Sequence, residues 1–276
     1  MVSSRAVLVT GCSSGIGRAT AERLARSGWT VYASARRLEA LAGLEGCRPL
    51  QLDVTNDASM RAAVERIQQE AGAVGVLVNN AGYSQSGAVE SVPLDESRRQ
   101  FETNVFGLAR LTQLVLPGMR EQGWGRIVNV SSMGGRLTFP GGGWYHASKH
   151  AVEALSDALR FEVQSFGIDV VVIEPGLIRT GFAEVAAGSI EQDEGQYARF
   201  NAAVGGTTAG AYEGGFARLL GGGPDTVAKA IEKAATAKRP RTRYRVTGSA
   251  GFFITLRRLL PDRAWDAVVG RIYPKP

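Results

Sequence analysis

The sequence predicts an α/β fold: a doubly wound parallel sheet with helices on both faces, in one domain spanning residues 1–276. Three observations predict it. Short apolar runs alternate with segments of helical spacing, which implies parallel β-α-β units. A glycine-rich turn joins the first run to the first helix. No internal repeat or linker divides the chain, and 276 residues are ample for one substantial core.

The elements follow in order. Ala6–Val9 is the first strand. Ile16–Arg26 is helical, with Ile16, Ala19, Leu24 and Ala25 available to one face. Thr30–Ala33 and Leu50–Asp53 read as the second and third strands, and Met60–Ala71 as the helix after them. Val74–Asn79 is the fourth strand, Phe101–Met119 a long helix and Arg126–Ser131 the fifth strand. A glycine-rich crossing leads to the helix Tyr145–Phe166, which Gly167 stops. Val170–Ile173 is the sixth strand, Asp225–Ala237 a helix preceded by Pro224, and Tyr244–Val246 a candidate seventh strand. In such a sheet ligands bind beyond the carboxyl ends of the strands.

Bulk composition narrows the classes. Hydrophobic residues make up 44% and charged residues 21%, ordinary for a soluble protein. No apolar run reaches the roughly 18 residues of a membrane span, and the N-terminus lacks signal-peptide architecture. Cys12 and Cys47 are too few for a disulfide framework, so a cytoplasmic, reducing location is expected. The net charge of +6 is uneven. The basic C-terminal extension, residues 238–276, holds ten Lys/Arg against Asp262 and Asp266. Such an excess suits nucleic acid, an anionic membrane or an acidic substrate; a solvated face is the preferred reading. With no aromatic interleaving and no known motif, a nucleic-acid partner is not expected.

Thr10, Gly11, Cys12, Ser13, Ser14, Gly15, Ile16 and Gly17 follow the first strand and open the first helix. A helix N-terminus presents unpaired N–H groups and positive dipole, which favour a pyrophosphate. Glycine lets the backbone turn sharply and approach the ligand. The spacing is T-G-x-x-x-G-I-G rather than G-x-G-x-x-G. In this form the chain resembles the short-chain dehydrogenase/reductase family, whose fold is Rossmann-like. The resemblance covers residues 5–182 with dense motifs and then thins.

Cofactor choice is read after the second strand. NAD-specific folds place an acid there for the ribose 2′-hydroxyl. Here Ala35 takes that position and Arg36 and Arg37 follow. A guanidinium binds a 2′-phosphate bidentately where a carboxylate would repel it. NADP(H) is therefore expected, with Arg36 the first contact and Arg37 the second; two plain surface arginines are the alternative. The resemblance implies that Asp53, with Val54, contacts the adenine. It also implies that the turn Asn80, Ala81 and Gly82 lines the cofactor cleft, and that Pro175, Gly176 and Thr180 hold the nicotinamide end.

The chemistry is expected at Tyr145. Lys149 stands four residues on, on the same helix face. An unperturbed tyrosine has a pKa of about 10, and a nearby cation lowers it. Tyr145 is thus expected to serve as general acid in reduction and general base in oxidation. Ser132 lies thirteen positions earlier, the family's separation, and is assigned to the substrate oxygen. Strand alternation points Ser131 elsewhere. The resemblance implies that Lys149 also binds the nicotinamide ribose and that Asn104 holds a proton-relay water.

Substrate walls are expected from Leu137, Phe139 and Trp144, and from Phe182 after Pro175. These are apolar, suited to a hydrophobic ligand. The overall pattern looks like the branch of hydroxysteroid and retinol dehydrogenases, so a steroid, retinoid or other lipophilic carbonyl is expected. Residues 181–223 are expected to form a substrate lid; the glycines of 205–223 suit a mobile lid or simple loops equally. Residues 251–260, apolar with paired arginines, are expected to cover the protein in preference to lying on a membrane.

Other chemistries are discounted. His146 and His150 share the i, i+4 spacing of a zinc helix but lack the glutamate and a third ligand, so no metal is expected. No nucleophile elbow surrounds Ser132, which removes a serine hydrolase. Cys12 reads as a small buried residue. A non-catalytic NADP(H)-binding sensor on the same fold is the remaining alternative. By resemblance, the helices at 104–121 and 145–166 pair across the interface of a dimer or tetramer.

Overall fold

The structure, a computed structural model, describes residues 4–190, 195–213, 219–273 and 275. Its frame is a seven-stranded parallel sheet. The strands are β1 (Ala6–Val9), β2 (Thr30–Ala35), β3 (Cys47–Gln51), β4 (Val76–Asn79), β5 (Gly125–Val130), β6 (Ile168–Glu174) and β7 (Arg243–Arg245). Their spatial order is β3-β2-β1-β4-β5-β6-β7. The chain leaves the edge at β3 and returns beside β1 as β4, pairing Val7 with Val76 and Val9 with Val78. That reversal is the switch point where a crevice opens at the carboxyl ends.

Period-two alternation sorts the strand residues onto two faces. Ala6, Leu8, Leu77 and Ile127 pack on one side with α2 (Asp57–Ala71), α4 (Leu108–Glu121) and the end of α5 (Gly143–Val163). Val7, Val9, Val76, Val78 and Val128 pack on the other with α1 (Gly15–Arg26) and α8 (Pro224–Thr236). Arg23 ties these last two helices together through Glu232 at 2.6 Å and Asp225 at 2.9 Å. Arg126, at the start of β5, is buried and donates to the Ala237 carbonyl at 3.1 Å, satisfying the C-terminus of α8.

Several boundaries differ from the sequence reading. β3 begins at Cys47, not Leu50, and ends before Asp53. It is the sheet edge and pairs only with β2, so Arg48 and Pro49 face water and no apolar run marks them. β4 starts at Val76 rather than Val74. The helix expected from Phe101 starts seven residues earlier, as α3 (Leu94–Phe101). Its polar first turns carry no apolar period. A π-helical segment, Glu102–Gly107, then joins it to α4.

Glycine decides that junction. A Cβ on Gly107 would lie 2.3 Å from the Val54 carbonyl oxygen, so only glycine lets the helix pass so close to the segment after β3. After α5 the chain makes one 3-10 turn and reverses at Gly167, at φ +72°, as the sequence reading placed it.

The region 181–223 holds α6 (Phe182–Gly188) and α7 (Ala198–Glu213). Gly205, Gly206 and Gly210 are helical, which corrects their reading as simple loop glycines. Packing overrides propensity: Phe200 and Val204 of α7 bury against Ala88, and the Asn201 side chain accepts from the Ala88 N–H at 2.9 Å. Residues 191–194 and 214–218 of the expected lid lie outside the described residues. The C-terminal part forms α9 (Gly248–Leu259) and α10 (Asp262–Val269). Ile254, Trp265 and Val269 bury with Met133, Leu137 and Leu177, so this segment does cover the protein.

Gly107→Ala is expected to destabilise the chain by about 1–3 kcal/mol, as overpacking does. Urea unfolding checks it, and an unchanged midpoint would show that the approach to Val54 is loose.

Candidate functional site

The carboxyl ends of the strands surround a cavity of about 1400 Å³. Its floor begins at the loop after β1. Thr10 is buried, and its hydroxyl donates to the Val78 carbonyl at 3.3 Å and accepts from the Asn80 and Ala81 N–H groups, each at 3.0 Å. The Asn80 amide returns the contact, donating to the carbonyls of Thr10 at 2.9 Å and Gly11 at 3.2 Å. One hydroxyl and one amide thus lock the loop after β1 to the turn after β4.

Gly11, Ser13, Ser14, Gly15 and Ile16 line the cavity. Gly11 and Gly15 hold φ of +72° and +57°, the left-handed region that glycine tolerates. Gly17 does not line the cavity; a Cβ there would lie 2.2 Å from the Gly11 carbonyl oxygen. Thr10 and Gly17 therefore shape the loop rather than face its contents. Ser14 precedes α1 without a side-chain cap, and the first turn contains no acid. The free N–H groups and positive end of α1 face the cavity and fit a pyrophosphate. Cys12 is fully buried, its thiol pushed up to about 12 by desolvation.

Along the same wall lie Ala35, Arg36, Leu52, Asp53, Val54 and Thr55. Arg36 is exposed at the cavity rim. Arg37 is exposed as well but outside the lining, which sets it apart from its neighbour. Extended backbone at Arg37, with φ −119°, turns successive side chains to opposite sides. The Asp53 carboxylate accepts from the Thr55 N–H at 2.9 Å and hydroxyl at 2.7 Å, which fixes its direction.

The far end holds Ser132, Tyr145 and Lys149 together. Ser132 lies two residues beyond β5 in extended backbone, its hydroxyl accepting from the Gly134 N–H at 3.0 Å. Ser131, one step back, is buried facing Gly135 and Glu153, as alternation requires. Tyr145 keeps part of its ring open while its hydroxyl is enclosed. Desolvation pushes that hydroxyl up to about 12, and the Ser132 side chain opposes the rise.

This corrects one expectation: in the free chain Lys149 does not lower the tyrosine. Its ammonium donates to the Val130 carbonyl at 2.9 Å and stands 5.8 Å from the Tyr145 ring centroid. Lys149 is itself buried and pulled down to about 8. With its ammonium held by the Val130 carbonyl, Lys149 does not offset the cost of burying a phenolate.

Asn104 sits in the π-helical segment, buried. Its amide donates to the Tyr83 carbonyl at 2.9 Å and the Ser148 hydroxyl at 3.1 Å, and its oxygen accepts from the Tyr83 N–H at 3.1 Å. A Cβ on Gly82 would meet that oxygen at 2.9 Å and the Lys149 Nζ at 3.6 Å. The glycine lets Asn104 and Lys149 approach the turn after β4.

His146, which the sequence reading left without a role, lines the cavity and fixes the substrate side. Its Nδ1 donates to the Gly134 carbonyl at 3.1 Å, and burial lowers it to about 4, so it is neutral. His150 instead donates to the His146 carbonyl at 2.9 Å.

Two predicted substrate residues lie elsewhere. Leu137 is buried under α9 and α10, and Trp144 packs edge-on against Phe101 with centroids 6.5 Å apart; neither lines the cavity. Phe139 and Phe182 do line it, Phe182 with its ring 5.5 Å from Tyr145. Pro175, Gly176 and Thr180 also face it. The sequence reading missed Met133, Val204, Ile272 and Tyr273, brought in by the strap after Ser132, α7 and the C-terminus. No local pattern marks residues that only chain folding delivers.

Comparison with known proteins agrees with this geometry. The family profile described as short chain dehydrogenase matches residues 5–189. A 3-ketodihydrosphingosine reductase of Bacteroides thetaiotaomicron is 44% identical over 178 residues, 64% of this chain and 65% of that protein. That match stops short of two thirds of either length. An NADPH-dependent 3-dehydrocapnine reductase of Ornithobacterium rhinotracheale is 36% identical over 96% of this chain and 95% of its own. A solved short-chain dehydrogenase from Streptomyces avermitilis superimposes with a TM-score of 0.78 at 36% identity, covering 99% of this chain and 98% of that one.

Burial of Lys149 makes a stability prediction. Its folded pKa, about 8, lies below the ordinary 10.5, so the folded state pays for the charge below pH 8. That penalty disappears as pH rises toward 10.5. Relative to the parent, Lys149→Met is expected to be more favourable at neutral pH by about 1–3 kcal/mol than at high pH. Urea midpoints across pH measure this; a difference independent of pH would contradict it.

Proposed function

This chain belongs to the short-chain dehydrogenase family, and on that premise we propose that it is an NADP(H)-dependent oxidoreductase interconverting a lipophilic alcohol and its carbonyl. The observation that carries the reading is the meeting of Ser132, Tyr145 and Lys149 in one cavity continuous with the α1 N-terminus. Bound there, the nicotinamide would supply or accept the hydride.

The chain's own residues do the rest. The 10–17 loop takes the pyrophosphate, and Arg36 takes a 2′-phosphate; Arg37, turned away from the cavity, does not. Asp53 and Val54 border the adenine, and Asn80, Ala81 and Gly82 line the middle. Lys149 reaches the ribose, and Pro175, Gly176 and Thr180 hold the nicotinamide end. Ser132 donates to the substrate oxygen and holds it against the Tyr145 hydroxyl. In reduction Tyr145 gives its phenolic proton to that oxygen; in oxidation it takes the proton back. Burial, which pushes that hydroxyl up to about 12, keeps Tyr145 protonated in the free chain. The Lys149 ammonium stabilises the phenolate that remains. Asn104, fixed by Tyr83 and Ser148, offers a route for reprotonation through water.

The lipophilic assignment is supported by Phe139, Phe182, Val204, Ile272 and Tyr273 around the reacting end. It is supported too by the relatives named for reducing 3-ketodihydrosphingosine and 3-dehydrocapnine. A steroid, a retinoid or another long apolar carbonyl fits the same walls. We assign the protein to the cytoplasm as a dimer or tetramer through α4 and α5. The π-helical segment before α4 exposes Phe106, and α5 exposes Leu155 and Phe161, with Phe161 84% exposed.

Two experiments test the reading. NADPH oxidation is followed with a panel of lipophilic and small polar ketones. Tyr145→Phe is expected to lose about 10²–10⁴-fold in turnover while still binding NADPH. Binding without turnover in the parent chain would favour a sensor, and turnover of small polar ketones alone would remove the lipophilic assignment. Arg36→Ala is expected to weaken NADPH binding about 10–100-fold, the worth of a charge-assisted contact, with little effect on NADH. Equal losses for both cofactors would assign Arg36 another role.

A further inference from the structure

We propose that the outer face of the C-terminal cap, formed by α9, α10 and the turn after them, docks on an anionic membrane surface. The inner faces of both helices are occupied, since Ile254, Trp265 and Val269 bury in the cluster over Leu137. The outer side still exposes large apolar groups: Phe252 is 49%, Leu259 74% and Ile272 45% exposed. Phe252 and Leu259 are seven residues apart, two helical turns, and so share one face of α9.

Ile272 links this surface to the active site. It is exposed and lines the cavity beside Tyr273. The apolar lining therefore continues out of the mouth onto the cap.

Charge identifies the partner. Arg258, Arg263 and Arg271 are exposed, and among the described residues none has an ion-pair partner; Arg257 is held by Asp262 at 2.6 Å. Exposed apolar side chains among unpaired arginines are the composition of an interfacial lipid-binding surface. A second copy of this chain fits less well, because a twofold contact would set this positive face against itself. No helix among the described residues is long and apolar enough to cross a membrane, so the contact is peripheral. Each arginine near an anionic surface is worth about fivefold in partitioning.

The test is sedimentation of the full chain with vesicles of phosphatidylcholine, alone or mixed with phosphatidylglycerol. It needs no substrate and stands apart from the proposed reaction. Binding to the mixed vesicles only, lost at high salt, is the expected result. Arg258→Gln with Arg263→Gln is expected to weaken it about 25-fold. Leu259→Ser is expected to weaken it as well, with NADPH binding retained as the check on folding. No association with either vesicle would overturn the proposal. So would equal, salt-insensitive association with both. So would a Leu259→Ser variant that dissociates an oligomer in sedimentation velocity yet leaves vesicle binding intact.

Discussion

The site depends on the lock between the ends of β1 and β4. Strand order reverses here, so the sheet alone would leave two loops diverging over a crevice. The Thr10 hydroxyl bridges Val78, Asn80 and Ala81, and the Asn80 amide answers to Thr10 and Gly11. These are buried, mutually satisfied polar groups, and removing one leaves its partners unpaired. The lock orients the α1 N-terminus on one side. On the other it sets the turn at Gly82, against which Asn104 and Lys149 rest.

Burial sets the electrostatics at the reacting end. It raises Tyr145 and lowers Lys149, so both groups are held toward neutrality in the free chain. The same burial keeps His146 neutral, leaving it as a brace on Gly134 rather than a competing base. Desolvation thus acts on all three groups of one cavity, and the sign of each group's charged form sets the direction.

The apolar side of the cavity is built differently. It comes from the strap after Ser132, from α7 and from the C-terminal cap. The cap buries its inner face on the strap that carries Phe139, which joins substrate wall and surface in one packed unit. The cap thus has apolar and basic groups outside and cavity-lining groups such as Phe253 and Tyr273 inside.

The sequence by itself determined the parallel sheet, the phosphate loop and the Tyr145–Lys149 pair. Each rests on local chemistry: apolar runs, glycines at turns and i, i+4 spacing. It could not show the polar starts of α3 or β3, which carry no apolar period. Nor could it show that Gly205 and Gly210 are helical, because contacts with Ala88 hold α7. Leu137 and Trp144 looked like pocket walls from their neighbourhood, but the cap and Phe101 claimed them. Tertiary structure alone decided the direction of the tyrosine shift and the distal cavity lining. Burial and long-range contact are properties of the assembled chain, and no local pattern of residues encodes them.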